Sequence, residues 1–380
     1  MIYLDAAATT PVRRAVLETC WPYLTGEFGN PSSHHAVGAS AAEALDGARR
    51  SVASALGARA SDVVFTGSGT EADNLAVKGL ALAADPARRT IVTARTDHAA
   101  VLESCRYLEH VHGFTIAYAP QDDAGLVDLE ALDRMITDET ALVSIALANN
   151  EIGTIQPVAE IARMAHASGA LVHTDAVQAA GSVPIGMADL GVDALSVSGH
   201  KLGAPKGIGA LLVLTQVPLE PVLHGGGQER GRRSGTENVA GAVALAAGLA
   251  LAGPDIAAVD EVAARRDAFI GAVLATVPDA VLTGHPSKRL PGSASFCFPG
   301  TSGESVLVRL EESGVVCSSG SACAAGSDEP SHVLTALGFD RETAQTAVRF
   351  SFGTQVSADE LAEAADRVGD AVRAVSALAG

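Results

Sequence analysis

The chain has 380 residues, of which 48% are hydrophobic and 4% aromatic, and its formal net charge is -18. This much apolar material excludes a disordered protein and predicts a large domain followed by a smaller one. The negative charge argues against direct binding of nucleic acid or of an anionic membrane surface.

The cysteines and the N-terminal residues indicate a reducing compartment. The five cysteines form no C-x-x-C pair and no zinc-ligand spacing, so no metal site is expected. The N-terminus has no basic leader followed by an apolar run. We expect the apolar stretch from Val239 to Ala252 to be too short and too often broken by glycine to span a bilayer. A cytoplasmic protein is therefore predicted.

Between residues 60 and 215, short β-branched runs alternate with longer helical ones. Nearly all the short runs are continuously apolar, which is typical of strands that helices cover on both faces of a parallel sheet. We predict an α/β fold with a mostly parallel sheet and a ligand at the carboxyl ends of its strands. The predicted strands are residues 63–67, 90–96, 114–120, 141–147, 170–175, 194–199 and 208–214.

The pattern changes past residue 255. A helical stretch over residues 260–275 leads to SASFCF, a second helix, GVVC, a Gly/Ser loop, VRFSFG and a final amphipathic helix from Ala358. We predict a large domain over residues 1–255 and a smaller C-terminal α+β domain over residues 256–380. The N-terminal residues 1–30 are expected to pack with the small domain.

Two predicted strands end in polar side chains that suit a cofactor. Lys201 and Lys206 follow a buried strand in SVSGHKLGAPKG, so a lysine could reach a ligand there. Asp175 ends an earlier strand, where a buried carboxylate needs a partner. A pyridinium nitrogen is such a partner, and holding its proton makes pyridoxal phosphate an electron sink. Gln178 could donate to the phenolic oxygen of that cofactor, whereas a basic turn and a helix-capping aspartate are the plainer interpretations.

The segment VVFTGSGTEADN predicts a strand, a glycine-rich turn and the start of a helix. The N–H groups and dipole of such a helix can bind a phosphate, here at Gly69 and Thr70. The same residues fit the G-x-G-x-x-A pattern of a dinucleotide enzyme, which is the main alternative. That class places an acidic residue about 20 residues further on. Asp97 lies late for it, and Lys201 and Asp175 would have no task.

A loop of small residues near the C-terminus, SSGSACAAGSDEP, contains Cys323. Because the loop offers little against which a thiol could be buried, we expect Cys323 to be exposed and reactive. Cys317 belongs to the preceding strand and is expected to pack. Cys20, Cys105 and Cys297 are expected to be small buried hydrophobes.

Taken together, the motifs resemble those of the cysteine desulfurases of the iron–sulfur-assembly and nitrogen-fixation type. These belong to the class V aminotransferase group of fold type I pyridoxal-phosphate enzymes. The resemblance covers essentially the whole chain and includes YLDAAATTP, TGSGTEADNLAVKG, TDHAAV, ANNEIGTIQP, HTDAVQAAG, SGHKLGAPKGIGAL, HGGGQERGRRSGTEN, SSGSACAAGSDEPSHVL and VRFSFG. It implies conversion of L-cysteine to L-alanine, with the sulfur passed as a persulfide on Cys323 to an acceptor.

The resemblance implies a role for each matching residue around the cofactor, pyridoxal 5′-phosphate. Lys201 matches the lysine that forms the Schiff base, and Asp175 matches the partner of the pyridinium nitrogen. His98 matches the histidine that stacks on the cofactor ring and shuttles protons, and Gln178 matches the donor to the phenolic oxygen. The residues that match the phosphate cradle are Gly69, Thr70, Ser198 and His200.

The remaining matches concern the substrate and the assembly. Asn150 matches an asparagine that lies between cofactor and substrate, and Arg349 matches the arginine that binds the substrate carboxylate, a task suited to a guanidinium fork. Thr236 matches a phosphate contact made from a neighbouring subunit, which implies a homodimer. The implied acceptor is a protein, either an iron–sulfur scaffold or a thiolation factor. A selenocysteine lyase or another class V aminotransferase-type enzyme is the alternative.

Overall fold

The computed structural model describes residues 1–320 and 329–379. Its strands are β1 (Ile2–Tyr3), β2 (Val63–Thr66), β3 (Thr90–Ala94), β4 (Thr115–Ala119), β5 (Thr140–Ser144), β6 (Leu171–Asp175), β7 (Ala194–Ser198), β8 (Gly209–Val213), β9 (Val281–Leu282), β10 (Ser293–Cys297), β11 (Val315–Val316) and β12 (Ala347–Ser351). Its helices are α1 (Arg14–Cys20), α2 (Pro22–Thr25), α3 (Ala36–Ala55), α4 (Gly69–Ala83), α5 (Ala99–His112), α6 (Leu129–Met135), α7 (Val158–Ala167), α8 (Met187–Leu190), α9 (Val239–Ala257), α10 (Val259–Thr276), α11 (Gly303–Glu312), α12 (His332–Ala336), α13 (Arg341–Ala344) and α14 (Ala358–Ala379). Short 3₁₀ helices lie at Ala60–Asp62, Gly199–Lys201 and Glu229–Gly231.

A seven-stranded sheet of order β2-β8-β7-β6-β5-β3-β4 forms the centre of the fold. The strands from β7 to β4 pair in parallel, whereas β8 runs antiparallel to both β2 and β7. Every residue of β5, β7 and β8 is buried. Each of the seven predicted apolar runs overlaps one strand of this sheet, so the predicted α/β fold with a mostly parallel sheet is confirmed.

Helices cover the sheet on both faces. On one face, Leu80 of α4 and Leu108 of α5 lie in the same buried cluster as strand residues. On the other face, Leu45 of α3, Ile161 of α7 and Leu245 of α9 form a second cluster with the sheet. This burial on both sides is the reason that the strands are apolar at successive positions.

Helix α9 is long and apolar enough to cross a membrane by length and composition alone. The helix continues to Ala257, so the expectation that this apolar stretch is too short was wrong. The glycines of this stretch lie inside the continuous helix. Gly248 lies against the backbone of Leu202, where a Cβ would be 2.8 Å from Leu202 O. Glycine there permits close packing. Of the apolar window, 61% is buried inside the protein, as in a core helix.

The residues after α9 form a second, smaller sheet with its own helices. Strands β12, β10 and β9 form an antiparallel sheet, and Phe269, Phe296 and Phe350 pack edge to face in its core. Ile2 and Leu4 lie in this same core, and β1 pairs with β11. The division of the chain at residue 255 stays a prediction.

Candidate active site

A cleft of about 600 Å³ lies where the parallel strands end. Strand β6 ends at Asp175, strand β7 ends at Ser198, and α4 begins at Gly69. A cleft at this edge of the sheet is what the strand pattern predicts. The predicted site residues that line it are Gly69, Thr70, His98, Asn150, Asp175, Gln178, Ser198, His200, Lys201 and Arg349.

Two predicted site residues stand apart from this group. Thr236 lies on an exposed stretch between the 3₁₀ helix Glu229–Gly231 and α9. Cys323 lies outside the described residues. Gly320 and Glu329, which flank its segment of the chain, both line the cleft.

One end of the cleft is formed by the first turn of α4. Ser68 caps this helix, with its hydroxyl accepting a hydrogen bond from Glu71 N at 3.1 Å. A Cβ at Gly69 would lie 2.8 Å from Val177 Cγ2 and 3.1 Å from Ser198 Cβ, so the tight packing here requires glycine. The backbone N–H groups of a first helical turn have no helical acceptor and can bind an anion such as a phosphate.

Asp175 provides a buried acid further along the cleft. Its Oδ1 accepts a hydrogen bond of 2.8 Å from Val177 N. Burial raises the pKa of this carboxyl group, while the neighbouring His98 and Lys201 act to lower it. A cation placed in the cleft beside Asp175 would further stabilise the ionised form.

His98 caps helix α5 with its side chain. Its Nδ1 accepts a hydrogen bond of 3.1 Å from Ala100 N. In a neutral imidazole this bond places the proton on Nε2. A ring nitrogen of His98 and one carboxyl oxygen each of Asp175 and Asp73 lie within 4.8 Å of one another. The helix start therefore fixes the imidazole in the cleft beside the buried acids.

Lys201 contacts the N-terminal segment. Its Nζ donates hydrogen bonds to the carbonyl oxygens of Ala7 and Ala8, the latter at 2.7 Å. The amide of Gln178 also donates to Ala7 O, at 3.1 Å. Thr10 anchors the segment by donating from its backbone N–H and its hydroxyl to His200 O. The motif YLDAAATTP thus supplies carbonyl groups to the active site, a contribution that sequence reasoning missed.

Arg349 on β12 is buried, and its guanidinium joins three segments of the chain. Nη2 donates to Asp5 Oδ1 at 2.8 Å, and Nη1 donates to Asn150 O at 2.8 Å and to Gly320 O at 3.3 Å. Nε is buried and has no hydrogen-bond partner among the described residues. Nε and Nη2 share one edge of the planar group, and Nη2 already donates to Asp5, so Nε is the donor on this edge that has no partner among the described residues.

Further buried acids surround the cleft and were not predicted as site residues. Asp97 accepts hydrogen bonds from Thr93 Oγ1, Ala94 N and Ala146 N, and burial raises its pKa to about 6. Glu151 accepts a hydrogen bond from Ser331 Oγ.

The sequence contains features that could have identified two of these buried acids. Asp97 directly precedes His98, and Asp73 lies on a helix whose neighbouring positions Ala72 and Ala76 are apolar and buried. A carboxylate in such a position needs a specific reason to be buried.

The cysteines in the described part of the chain are poor nucleophiles. Cys20, Cys105 and Cys297 are buried, as predicted. Burial raises the pKa of Cys105 and of Cys297 to about 12. Cys317 is partly buried directly after β11, and burial raises its pKa as well. None of these four thiols forms much thiolate at neutral pH.

The residues of the cleft fit pyridoxal 5′-phosphate. That cofactor requires an anion site for its phosphate, an acid at its ring nitrogen and a lysine amine at its aldehyde. The start of α4 with Ser198 and His200 suits the phosphate. Asp175 suits the ring nitrogen, and Lys201 supplies the amine. His200 suits an anion by hydrogen bonding rather than by charge, because burial lowers its pKa to about 4.

Comparison with known proteins decides the family. The family model described as aminotransferase class-V matches residues 2–363. The chain belongs to the class V aminotransferase family. Within it, the chain is 45% identical over 383 residues to the protein named cysteine desulfurase of Cereibacter sphaeroides, covering 99% of this chain and 97% of the relative. It is 42% identical over 361 residues to cysteine desulfurase IscS of Dictyoglomus turgidum, covering 95% and 91%.

Solved structures agree with this assignment. A NifS-like protein superposes with a TM-score of 0.90 at 35% identity, covering 97% of this chain and 98% of the other. A structure titled SspA in complex with cysteine gives a TM-score of 0.80 at 34% identity, covering 93% and 99%. The chain is thus a member of the cysteine desulfurases. The predicted family, fold type and pyridoxal-phosphate cofactor are confirmed.

Proposed function

We propose that this desulfurase takes the sulfur of L-cysteine onto Cys323, releases L-alanine and passes the persulfide to an acceptor protein. One observation carries the proposal. The amine of Lys201, the carboxylate of Asp175 and the guanidinium of Arg349 line one cleft. The related SspA is known in complex with cysteine, which supports the choice of substrate.

The substrate carboxylate is proposed to bind at Arg349. Asp5 and two carbonyl groups use three of the five N–H donors of this guanidinium, which leaves Nε–H and one N–H of Nη2 as donors for a carboxylate. Two parallel charge-assisted hydrogen bonds give such a fork its orientation and strength. Asn150 lines the cleft and contacts Arg349 through its backbone oxygen, which supports its assignment to the substrate side of the site.

The cofactor is proposed to lie between the start of α4 and Asp175. When bound, it supplies an electron sink for the charge that develops on the substrate carbon. The residues proposed to hold it are Gly69, Thr70, His98, Asn150, Asp175, Gln178, Ser198, His200 and Lys201, with Thr236 reaching the phosphate from the neighbouring subunit.

The chain's own groups are proposed to move the protons. Lys201 Nζ takes the proton from Cα of the substrate, and the carbonyl groups of Ala7 and Ala8 orient this amine. His98 Nε2 takes up and releases protons of the substrate in the part of the cleft beside Asp175. Cys323 Sγ, as a thiolate, then attacks the sulfur of cysteine, so that a sulfur–sulfur bond forms and the carbon–sulfur bond breaks. The carbon keeps the electron pair of the broken bond and takes up a proton, which gives the methyl group of alanine.

A homodimer is part of the proposal. Thr236 is exposed on this chain, as a residue that reaches into a neighbouring site must be. Helices α1 and α2 with the following turn also expose large apolar side chains, namely Trp21 at 58%, Leu24 at 59% and Phe28 at 72%. Apolar side chains clustered in this way are typical of a protein–protein interface.

The cellular setting is proposed as well. The acceptor is an iron–sulfur scaffold or a thiolation factor, and the enzyme acts in the cytoplasm. The net charge of -18 supports a role without direct binding of nucleic acid or membrane.

The experiment follows the sulfur. Cofactor-loaded protein is mixed with L-cysteine without reductant, and the peptides are analysed by mass spectrometry. The peptide with Cys323 should gain one sulfur atom, and Cys323→Ser should abolish both this gain and the turnover. Cys317→Ser is the matched control and should leave both unchanged. If Cys323→Ser desulfurates cysteine at the wild-type rate, the proposal is wrong.

A further inference from the structure

A second carboxyl group, that of Asp73, lies beside Asp175. Asp73 is on helix α4, one turn beyond Gly69, so the helix that forms the phosphate end of the cleft also carries this acid. Asp73 is 1% exposed and Asp175 is 8% exposed. A carboxyl oxygen of Asp73 and one of Asp175 lie within 4.8 Å of each other. Two ionised carboxylates this close would repel each other and could only accept hydrogen bonds, so the pair favours a proton on one of them.

The surroundings decide which acid holds the proton. Burial and then the negative charges of Asp175 and Asp97 raise the pKa of Asp73 well above its usual range, against a hydrogen bond from Ser196 that acts to lower it. Burial raises the pKa of Asp175 too, but Asp175 also receives a hydrogen bond from Val177 N, and His98 and Lys201 act to lower its pKa. Two buried carboxyl groups this close favour sharing one proton. This environment places it on Asp73.

The side chains on the other side of Asp73 support this assignment. Asp73 Oδ1 is buried and has no ordinary hydrogen-bond donor among the described residues. The nearest candidate cation is His173, whose Nε2 lies 3.7 Å away. The ring nitrogens of His173 contact Ser144 Oγ at 2.8 Å and Ser196 Oγ at 2.9 Å. Burial lowers the pKa of His173 to about 3, so the ring is neutral and cannot balance an ionised Asp73.

We propose that Asp73 is a protonated positioning residue that donates a hydrogen bond to Asp175 and keeps the Asp175 carboxylate anionic toward the ring nitrogen of the cofactor. The inference rests on the proposed role of Asp175. Because the phosphate end of the cleft and Asp73 belong to one rigid helix, α4 fixes the distance between the phosphate site and the acid at the ring. The ionisable groups that face the pair are Asp97, His98, His173 and Lys201.

Two substitutions at Asp73 separate its role as a hydrogen-bond donor from its ability to ionise. Asp73→Asn keeps a donor to Asp175 and cannot titrate, whereas Asp73→Ala removes the donor. With Asn, we expect the affinity for pyridoxal 5′-phosphate to stay within about threefold of wild type, because the hydrogen bond is kept. With Ala, we expect the affinity to fall by roughly tenfold to a hundredfold, the value of a hydrogen bond to a charged group.

The decisive readout does not depend on turnover. Protein loaded with cofactor that carries ¹⁵N in its ring is studied by NMR, where the ring nitrogen reports its own protonation. Wild type and Asp73→Asn should both show a protonated nitrogen, and Asp73→Ala should shift toward the unprotonated value. Infrared spectra at pH 8 should show the band of a protonated carboxylic acid in wild type, and Asp73→Asn should lose it.

Several results would overturn the inference. A folded Asp73→Ala with the wild-type ring signal would do so, as would an Asp73→Asn that loses affinity as Ala does, or an infrared band that Asp73→Asn keeps. If Asp73→Ala does not fold, the Asn variant and the infrared band decide the matter. Asp175→Asn is the control for the proposed function. If the ring nitrogen stays protonated in Asp175→Asn, the proposed role of Asp175 is wrong. If the ring signal changes in Asp175→Asn but not in Asp73→Ala, only the role of Asp73 is wrong.

Discussion

Asp5 Oδ1 and Arg349 Nη2 are 2.8 Å apart, and this ion pair joins the N-terminal segment to strand β12. Arg349 is 2% exposed, so its charge needs a partner inside the protein. Asp5 meets that need while the Nε edge keeps its hydrogen-bonding capacity. The pair therefore neutralises the arginine that is proposed to bind the substrate and leaves its Nε as a donor.

Replacement of Arg349 by lysine should weaken substrate binding and keep the ion pair. The ammonium group retains the charge opposite Asp5 but cannot form the two parallel hydrogen bonds of a guanidinium. We expect the KM for L-cysteine to rise by roughly tenfold to a hundredfold, with a smaller change in kcat. Asp5→Asn keeps the acceptor for Nη2 and should change KM by less than about threefold. An unchanged KM in Arg349→Lys would refute the assignment.

His98 combines two tasks that substitution can separate. Asparagine is a good helix N-cap, so His98→Asn should preserve the start of α5 and thermal stability. It removes the imidazole, and the rate should fall by about 10²- to 10⁴-fold, the usual loss of an acid–base group. His98→Ala should additionally cost about 1 kcal/mol of stability through the lost cap. Full activity in His98→Asn would reduce His98 to a helix cap.

The strands and the acids at their ends could be predicted from the sequence. Continuous apolar runs identify buried parallel strands, and the carboxyl ends of such strands meet at one edge of the sheet. That rule predicts Asp175 and a lysine, either Lys201 or Lys206, at this edge. The family resemblance added residues whose types are common elsewhere, such as His98 and Arg349, and their positions around one cleft agree with it.

The partners of these residues could not be predicted, for a physical reason. Asp5 and Arg349 are 344 positions apart, and Ala7 and Lys201 are 194 apart, so no local pattern connects them. Asp73 was missed because a carboxylate on a helix is usually solvated, and only tertiary packing shows that this one is buried.

A buried ion pair supports the strained turn that precedes Thr236. Arg49 donates two hydrogen bonds to Glu229, at 2.6 and 2.8 Å, and Glu229 and Arg230 adopt φ values of 48° and 58°. Arg49→Met leaves Glu229 buried without its partner, so we expect a loss of about 3–5 kcal/mol of unfolding free energy. Adding Glu229→Gln should recover part of it. Urea unfolding at one protein concentration measures both, and a loss below about 1 kcal/mol in Arg49→Met would contradict the estimate.

His173 should make stability depend on pH. Its folded-state pKa of about 3 lies below the unfolded value of about 6.5, so the unfolded chain takes up the proton first as the pH falls. The contribution is complete above pH 6.5 and is lost toward pH 3, at up to about 1.4 kcal/mol per pH unit. His173→Gln should remove this slope from unfolding free energies measured between pH 6.5 and 4. The exposed control His34→Gln should keep it, and equal slopes in the wild type and His173→Gln would contradict the assignment.

The most direct measurement is the release of alanine and sulfide from L-cysteine by cofactor-loaded, full-length protein in the presence of a reductant. We expect equal amounts of both products from the wild type and neither from Lys201→Ala. Absence of alanine from wild-type protein with its cofactor bound would contradict a cysteine desulfurase. Selenocysteine and then amino-group transfer would be the substrates and reactions to test next.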